Sequence, residues 1–155
     1  NRFKKLKNER GLTLVELLAV IVILAIVAII AFVFIGGVIE NSRKDAHIAN
    51  AQQIISAAKL HEATGGDLTK EVTVQELIDK KYLDSVINPW NSEEDPYNAG
   101  ATITKNDKDE FVLKGFSVKG KCDGKFADKD GVTETEINTA DRDTLCKSKS
   151  EGGGS

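Results

Sequence analysis

Hydrophobic and polar positions divide the chain into three stretches. Residues 1–11 are polar and mostly basic, Leu12 to Ile35 is almost wholly apolar, and beyond Gly36-Gly37 apolar and polar residues alternate at short periods. The run Leu17 to Ile35 has 19 residues and no charge. As a helix it would be about 28 Å long, close to the roughly 30 Å hydrocarbon thickness of a bilayer. Helix is the expected form there, because lipid offers the backbone no hydrogen-bond partners. From Val38 to about Ala63 the helix should continue with one apolar face. Ile48, Ala51, Ile55 and Ala58 recur at steps of three and four, while Arg43, Lys44, Asp45, Gln52 and Lys59 fall elsewhere. That face predicts packing on a globular head, and Gly65-Gly66 predicts the stop.

The later elements are shorter. Thr73 to Leu83 predicts a second helix, with Thr73 and Glu76 at capping-box spacing. Asn88-Pro89-Trp90-Asn91 and Asp95-Pro96-Tyr97-Asn98 are turn-rich and hold both prolines. Ala101 to Thr104, Phe111 to Leu113 and Phe116 to Val118 predict strands, the first two joined by a polar turn from Lys105 to Glu110. Glu151 to Ser155 predicts a flexible tail or linker.

Charge follows the same division. The first eleven residues carry +4 in side chains (five cations against Glu9), so a whole-chain charge of −3 leaves −7 for residues 12–155. A basic flank before an apolar span predicts a cytoplasmic leader and an exported acidic remainder. About 118 residues follow Gly37, enough for one small domain. Cys122 and Cys146 both lie in that exported part, where an oxidising environment favours a disulfide. Closing a loop of about 25 residues would stabilise by roughly 3 to 4 kcal/mol in the chain-entropy model.

The candidate chemistry lies at the start of the span. Glu16 is the one charged residue between Gly11 and Ile39, and a carboxylate at the edge of lipid is costly without a partner. A chain cut after Gly11 would begin with a cationic amine on Leu12, four residues from Glu16 and about 6 Å along a helix axis. Amine and carboxylate of neighbouring copies could pair head to tail and propagate as a filament. Desolvation offsets much of that attraction, so the pair would set register more than stability. An ordinary single-pass anchor, with Glu16 snorkelling to the interface, explains length and flank but not Gly11 and Glu16 together. A secretory signal peptide would have a shorter apolar segment and a small-residue cleavage site after it.

Gly11-Leu12-Thr13-Leu14-Val15-Glu16 resembles the processing site of type IV prepilins and pseudopilins. The resemblance implies an α+β, type IV pilin-like fold, a long amino-terminal hydrophobic helix packed on a small antiparallel sheet. It also implies cleavage by a membrane prepilin peptidase between Gly11 and Leu12, methylation of Leu12, and subunit docking through Glu16 and Leu12. The domain plan is then a leader at 1–11, a transmembrane or filament-core helix at 12–37, an amphipathic half-helix with its head at 38–150, and the tail at 151–155. The implied partners are further copies in a helical filament, the membrane, the peptidase and the pilus assembly machinery. The implied location is the cytoplasmic membrane, then a cell-surface filament. A pseudopilus serving secretion or DNA uptake, and a membrane-anchored monomeric binding domain, are the alternative roles. Adhesion, motility and DNA uptake are not distinguished by these residues.

Several positions bear on details of that resemblance. Relatives usually carry a proline where this chain has Val33, so any bend or melting would fall to Gly36-Gly37, unless these glycines serve close packing. Pro89-Trp90 followed by Pro96-Tyr97 is similar to a segment linking helix to sheet in major pseudopilins and some Gram-positive pilins, with Trp90 and Tyr97 as aromatic plugs. Some pseudopilins bind calcium near the carboxy terminus, and Asp128, Asp130 and Glu134 offer oxygen ligands here, although their spacing departs from an EF-hand loop. A solvated acidic loop is the simpler account of them.

Catalysis and cofactors are not expected. His47 and His61 stand 14 residues apart, about 21 Å along a helix, too far to share a metal. Phosphate-loop and nucleophile-elbow motifs are missing from the sequence. Lys114, Lys119, Lys121, Lys125, Lys147 and Lys149 form the only local basic cluster in an acidic remainder, so nucleic acid is an unlikely partner.

Overall fold

A computed structural model describes residues 2–90 and 100–147, with side chains from Asn8 onward. Tyr97 and the 151–155 tail lie outside the described residues. The fold is α+β, and the chain divides into two units, Asn1–Asn41 and Ser42–Ser155.

Helix α1 (Arg2–Ala63) runs unbroken through Gly11 and through Gly36-Gly37. The local melting considered at the glycine pair does not occur, and an added Cβ at either glycine would meet nothing within 4 Å. The helix ends where the glycines predict. The Gly66 N–H donates to the His61 carbonyl at 2.8 Å and the Gly65 N–H to that of Glu62 at 3.0 Å, with Gly65 at φ 98°. These are the two bonds of a Schellman cap, which needs a left-handed residue at that point.

The second unit is built on a four-stranded antiparallel sheet in the order β1-β2-β3-β4. The central hairpin pairs β2 (Thr102–Lys105) with β3 (Phe111–Lys114), Ile103 opposite Leu113. Asn106 closes its turn by accepting from the Lys108 and Glu110 N–H groups. The edge strands are only two residues long, β1 (Val72–Thr73) and β4 (Val132–Thr133). Each runs directly into a short helix, α2 (Val74–Asp79) and α3 (Glu134–Thr139), capped by the strand's own threonine. The repeated pattern Val-Thr-x-x-Glu-Leu/Ile at 72–77 and 132–137 explains the likeness. A threonine hydroxyl that accepts a helix N–H ends the strand, leaving little open edge for unwanted pairing.

Two expected elements are revised. The helix expected from Thr73 to Leu83 is confined to α2. The Tyr82 and Leu83 N–H groups both turn back to the Leu77 carbonyl, Lys81 takes φ 65°, and the Tyr82 hydroxyl meets Thr64 Oγ1 at 2.7 Å. Phe116 to Val118 is not a ladder strand; only Val118 bridges, to Cys122. Gly115, at φ 70°, turns the chain out of the sheet, and a Cβ there would lie 2.5 Å from the Gly100 carbonyl oxygen.

The core lies between the second half of α1 and the sheet. Ala51, Ile54, Ile55 and Ala58 pack in one cluster with Ile103, Leu113, Leu77 and Ile137, and Ile48 is partly buried against it. Lys44 departs from the sequence reading. Assigned away from the apolar side, it is 1% exposed. Its place three and four residues before His47 and Ile48 puts it on the core face, and its methylene stem occupies that position while the ammonium meets Asp143 at 3.9 Å. The carboxy-terminal segment holds a 3-10 turn at Lys125–Ala127 and α4 (Arg142–Leu145), and Cys122 and Cys146 are bonded to each other at 2.04 Å.

Candidate functional site

The first unit carries the residues singled out for processing and assembly. Gly11, Leu12 and Glu16 lie on consecutive turns of α1, and Glu16 is one turn beyond Leu12 on the same side. All three are exposed, Leu12 by 63%. Glycine at this point weakens the helix by about 1 kcal/mol relative to alanine, which favours local opening. The Thr13 hydroxyl donates to the Glu9 carbonyl at 2.9 Å across the Gly11-Leu12 bond, where α1 is continuous.

Apolar side chains before and beyond Glu16 are exposed on every side of the helix. Leu14, Leu17, Leu18, Ile21, Leu24 and their neighbours up to Ile39 are mostly more than half exposed. A helix that is apolar all round has no stable state in water and needs lipid or like helices around it. Among the described residues this is the helix long and apolar enough to cross a membrane. Within that surface Glu16 is the single ionisable group, and a carboxylate so placed demands a cation from outside its own segment.

Residues 6–32 match the prokaryotic N-terminal methylation motif. The amino terminus is a type IV prepilin-like signal. The motif spans Gly11, Leu12 and Glu16 and reaches deep into the apolar run. With the long apolar helix and the small antiparallel sheet, it is similar to what type IV pilin-like and pseudopilin proteins carry. It implies processing by a prepilin peptidase, membrane anchoring before assembly, and entry into a pilus-type structure, and it points to a structural protein. Neither the curated proteins nor the solved structures match the chain.

The other residues weighed from the sequence lie in the second unit. Asp128, Asp130 and Glu134 are not gathered into a metal site; among the described residues no three His, Cys, Asp or Glu side chains are so placed. Asp128 ends the 3-10 turn and accepts the Gly131 N–H through its carbonyl, while the Glu134 carboxylate pairs with Lys59 of α1. In this structure Glu134 is therefore directed toward Lys59 rather than toward Asp128 and Asp130.

His47 and His61 are both buried on the core side of α1, with different surroundings. His61 stands edge-on to Tyr82 at 5.0 Å and lines an open cavity of about 530 Å³ with Thr64, Asp67 and Lys80. His47 is enclosed by aromatic rings, including Trp90, whose centroid is 5.6 Å away. Burial holds the His47 pKa down at about 4, partly opposed by its bond to the Phe116 carbonyl. The sequence sets the two histidines 14 residues apart on one helix, but only the fold reveals that one is walled in by rings from residues 43 to 79 positions away.

Proposed function

We propose that this chain is the structural subunit, of major-pilin type, of an extracellular type IV pilus filament. Cleavage after Gly11 frees the Leu12 amine, methylation caps it, and the hydrophobic helix leaves the membrane to pack among helices of other copies. The observation that carries this reading is the solitary Glu16, one turn after the cleavage position on an exposed apolar helix within the matched motif. In the filament the Leu12 amine of one copy supplies the cation that Glu16 of another requires. Exchange of lipid for equally apolar helices contributes little net driving force, so a specific ionic pair selects the register and an external motor drives extraction.

Mass spectrometry of the amino terminus of the surface-exposed protein tests this directly. The expected result is a chain beginning at methylated Leu12. A surface protein still carrying residues 1–11 would refute processing. Membrane-embedded monomers with no long filaments under the electron microscope would instead favour a pseudopilin or a simple anchor.

A further inference from the structure

Where α1 ends, its glycine cap, the loop after it and α2 line the open cavity of about 530 Å³ beside His61. His61 is 7% exposed, and its Nδ1 is buried without a hydrogen-bond partner among the described residues. A buried lone pair is less costly to leave unpaired than a buried N–H, so the ring hydrogen belongs on Nε2. That end of the ring lies against Gly66 of the cavity wall, where a Cβ would stand 2.4 Å from Nε2 and 2.5 and 2.6 Å from the carbons beside it. A side chain there would cover the N–H, and glycine leaves it open.

The other polar groups of the wall come as donors beside acceptors. The Thr64 hydroxyl donates to the His61 carbonyl at 3.0 Å, so the Tyr82 hydroxyl, 2.7 Å away, is the donor to Thr64 and keeps its own oxygen as an acceptor. Lys80 binds Glu76 at 2.8 Å, and both retain bonding capacity beyond that pair. Charge is balanced, Glu76 by Lys80, Glu71 by Lys114 at 3.4 Å, and Asp67 by the nearby Lys70. Buried Val72 and the rings of Tyr82 and His61, 5.0 Å apart, supply apolar surface. We propose that this cavity binds a neutral sugar ring. Each sugar hydroxyl donates and accepts at once, which suits paired groups of both kinds, and the C–H face of the ring suits valine and aromatic carbon. An ion would find no net charge to hold it, and the volume lies within the range of small-molecule sites. Such binding needs the head alone and no filament.

The test is NMR titration of the isotope-labelled full chain in phosphocholine micelles, whose headgroups carry no sugar. The probes are methyl glucoside, methyl galactoside, methyl mannoside and N-acetylglucosamine. At least one of them is expected to shift the amides of residues 64–67 and the His61 ring saturably at millimolar concentration. Tyr82→Phe and Glu76→Gln each alter one bonding group with little change in size, and at least one of them should weaken that binding by about fivefold. Gly66→Ala should abolish it, because the new methyl covers Nε2. The same spectra show whether each variant is folded, and should Tyr82→Phe not fold, the partly exposed Glu76→Gln decides. No saturable shift with any of these sugars would overturn the site, as would binding unchanged in every folded variant. Glucuronate or glucosamine binding more tightly than the neutral sugars would overturn the assignment to a neutral ligand.

Discussion

Thr73 and Thr133 perform one task at opposite edges of the sheet, and the difference between them is measurable. Each hydroxyl accepts the N–H of the residue three ahead, from Glu76 at 3.1 Å and from Glu136 at 3.2 Å. Only at Thr133 is the reciprocal bond of a capping box present, with the Glu136 carboxylate accepting the Thr133 N–H at 3.1 Å. The Lys125 ammonium, followed by that backbone bond, holds the Glu136 carboxyl below its ordinary pKa. Stability from Glu136 is therefore present above the ordinary carboxylate value and is lost as pH falls through the depressed one. Thr133→Ala is expected to lower head stability by about 1 kcal/mol, and by more than Thr73→Ala. Urea unfolding measures both, and a larger loss at Thr73 would contradict the assignment.

At the scale of elements, the segment after β3 is fastened by cross-links as well as by apolar contact. Phe116, Phe126, Leu145 and the cystine itself are buried, but the chain between them is largely polar. Arg142 grips Asp45 and Lys59 grips Glu134, so α1 holds both α4 and α3 by ion pairs that salt would weaken. The disulfide, with a sequence separation of 24, removes more freedom from the unfolded chain than those exposed pairs can offset. Replacing both cysteines by serine is expected to cost about 3 kcal/mol, read as a shifted denaturant midpoint. The wild type should reproduce that shift under reducing conditions, and equal midpoints for the oxidised wild type and the double variant would refute the argument.

For the whole molecule, the decisive contrast is between a unit that covers its apolar surface and one that leaves it open. Residues 42–155 bury a core of their own, whereas the apolar side chains of residues 12–39 stand exposed and await other molecules. Under the proposed function Glu16 governs that meeting. Glu16→Ala is expected to leave membrane insertion and the head unaltered, because the helix becomes more apolar and no head contact is removed. Filament number under the electron microscope should then fall severely. Normal filaments from this variant would remove the reason for the solitary carboxylate.

Much of this architecture could be read from residue order alone. The apolar run, the stop at Gly65-Gly66, the central hairpin and the cap at Thr73 are local features, set by periodicity, left-handed backbone and hydroxyl spacing within a few residues. The Gly11, Leu12 and Glu16 constellation is likewise local, so it was visible before any fold. The two-residue edge strands were not visible, since their pairing partners lie 19 to 31 residues away and two residues carry no period. Nor was the early end of α2, decided by Tyr82 and Leu83 folding back on Leu77, or the turn of Glu134 toward Lys59. Lys44 was misassigned because charge argued for solvent while spacing placed it on the core face. Residue order determined the elements and the assembly segment through short-range chemistry; tertiary packing decided which polar groups were taken out of water, because burial depends on surfaces contributed by distant parts of the chain.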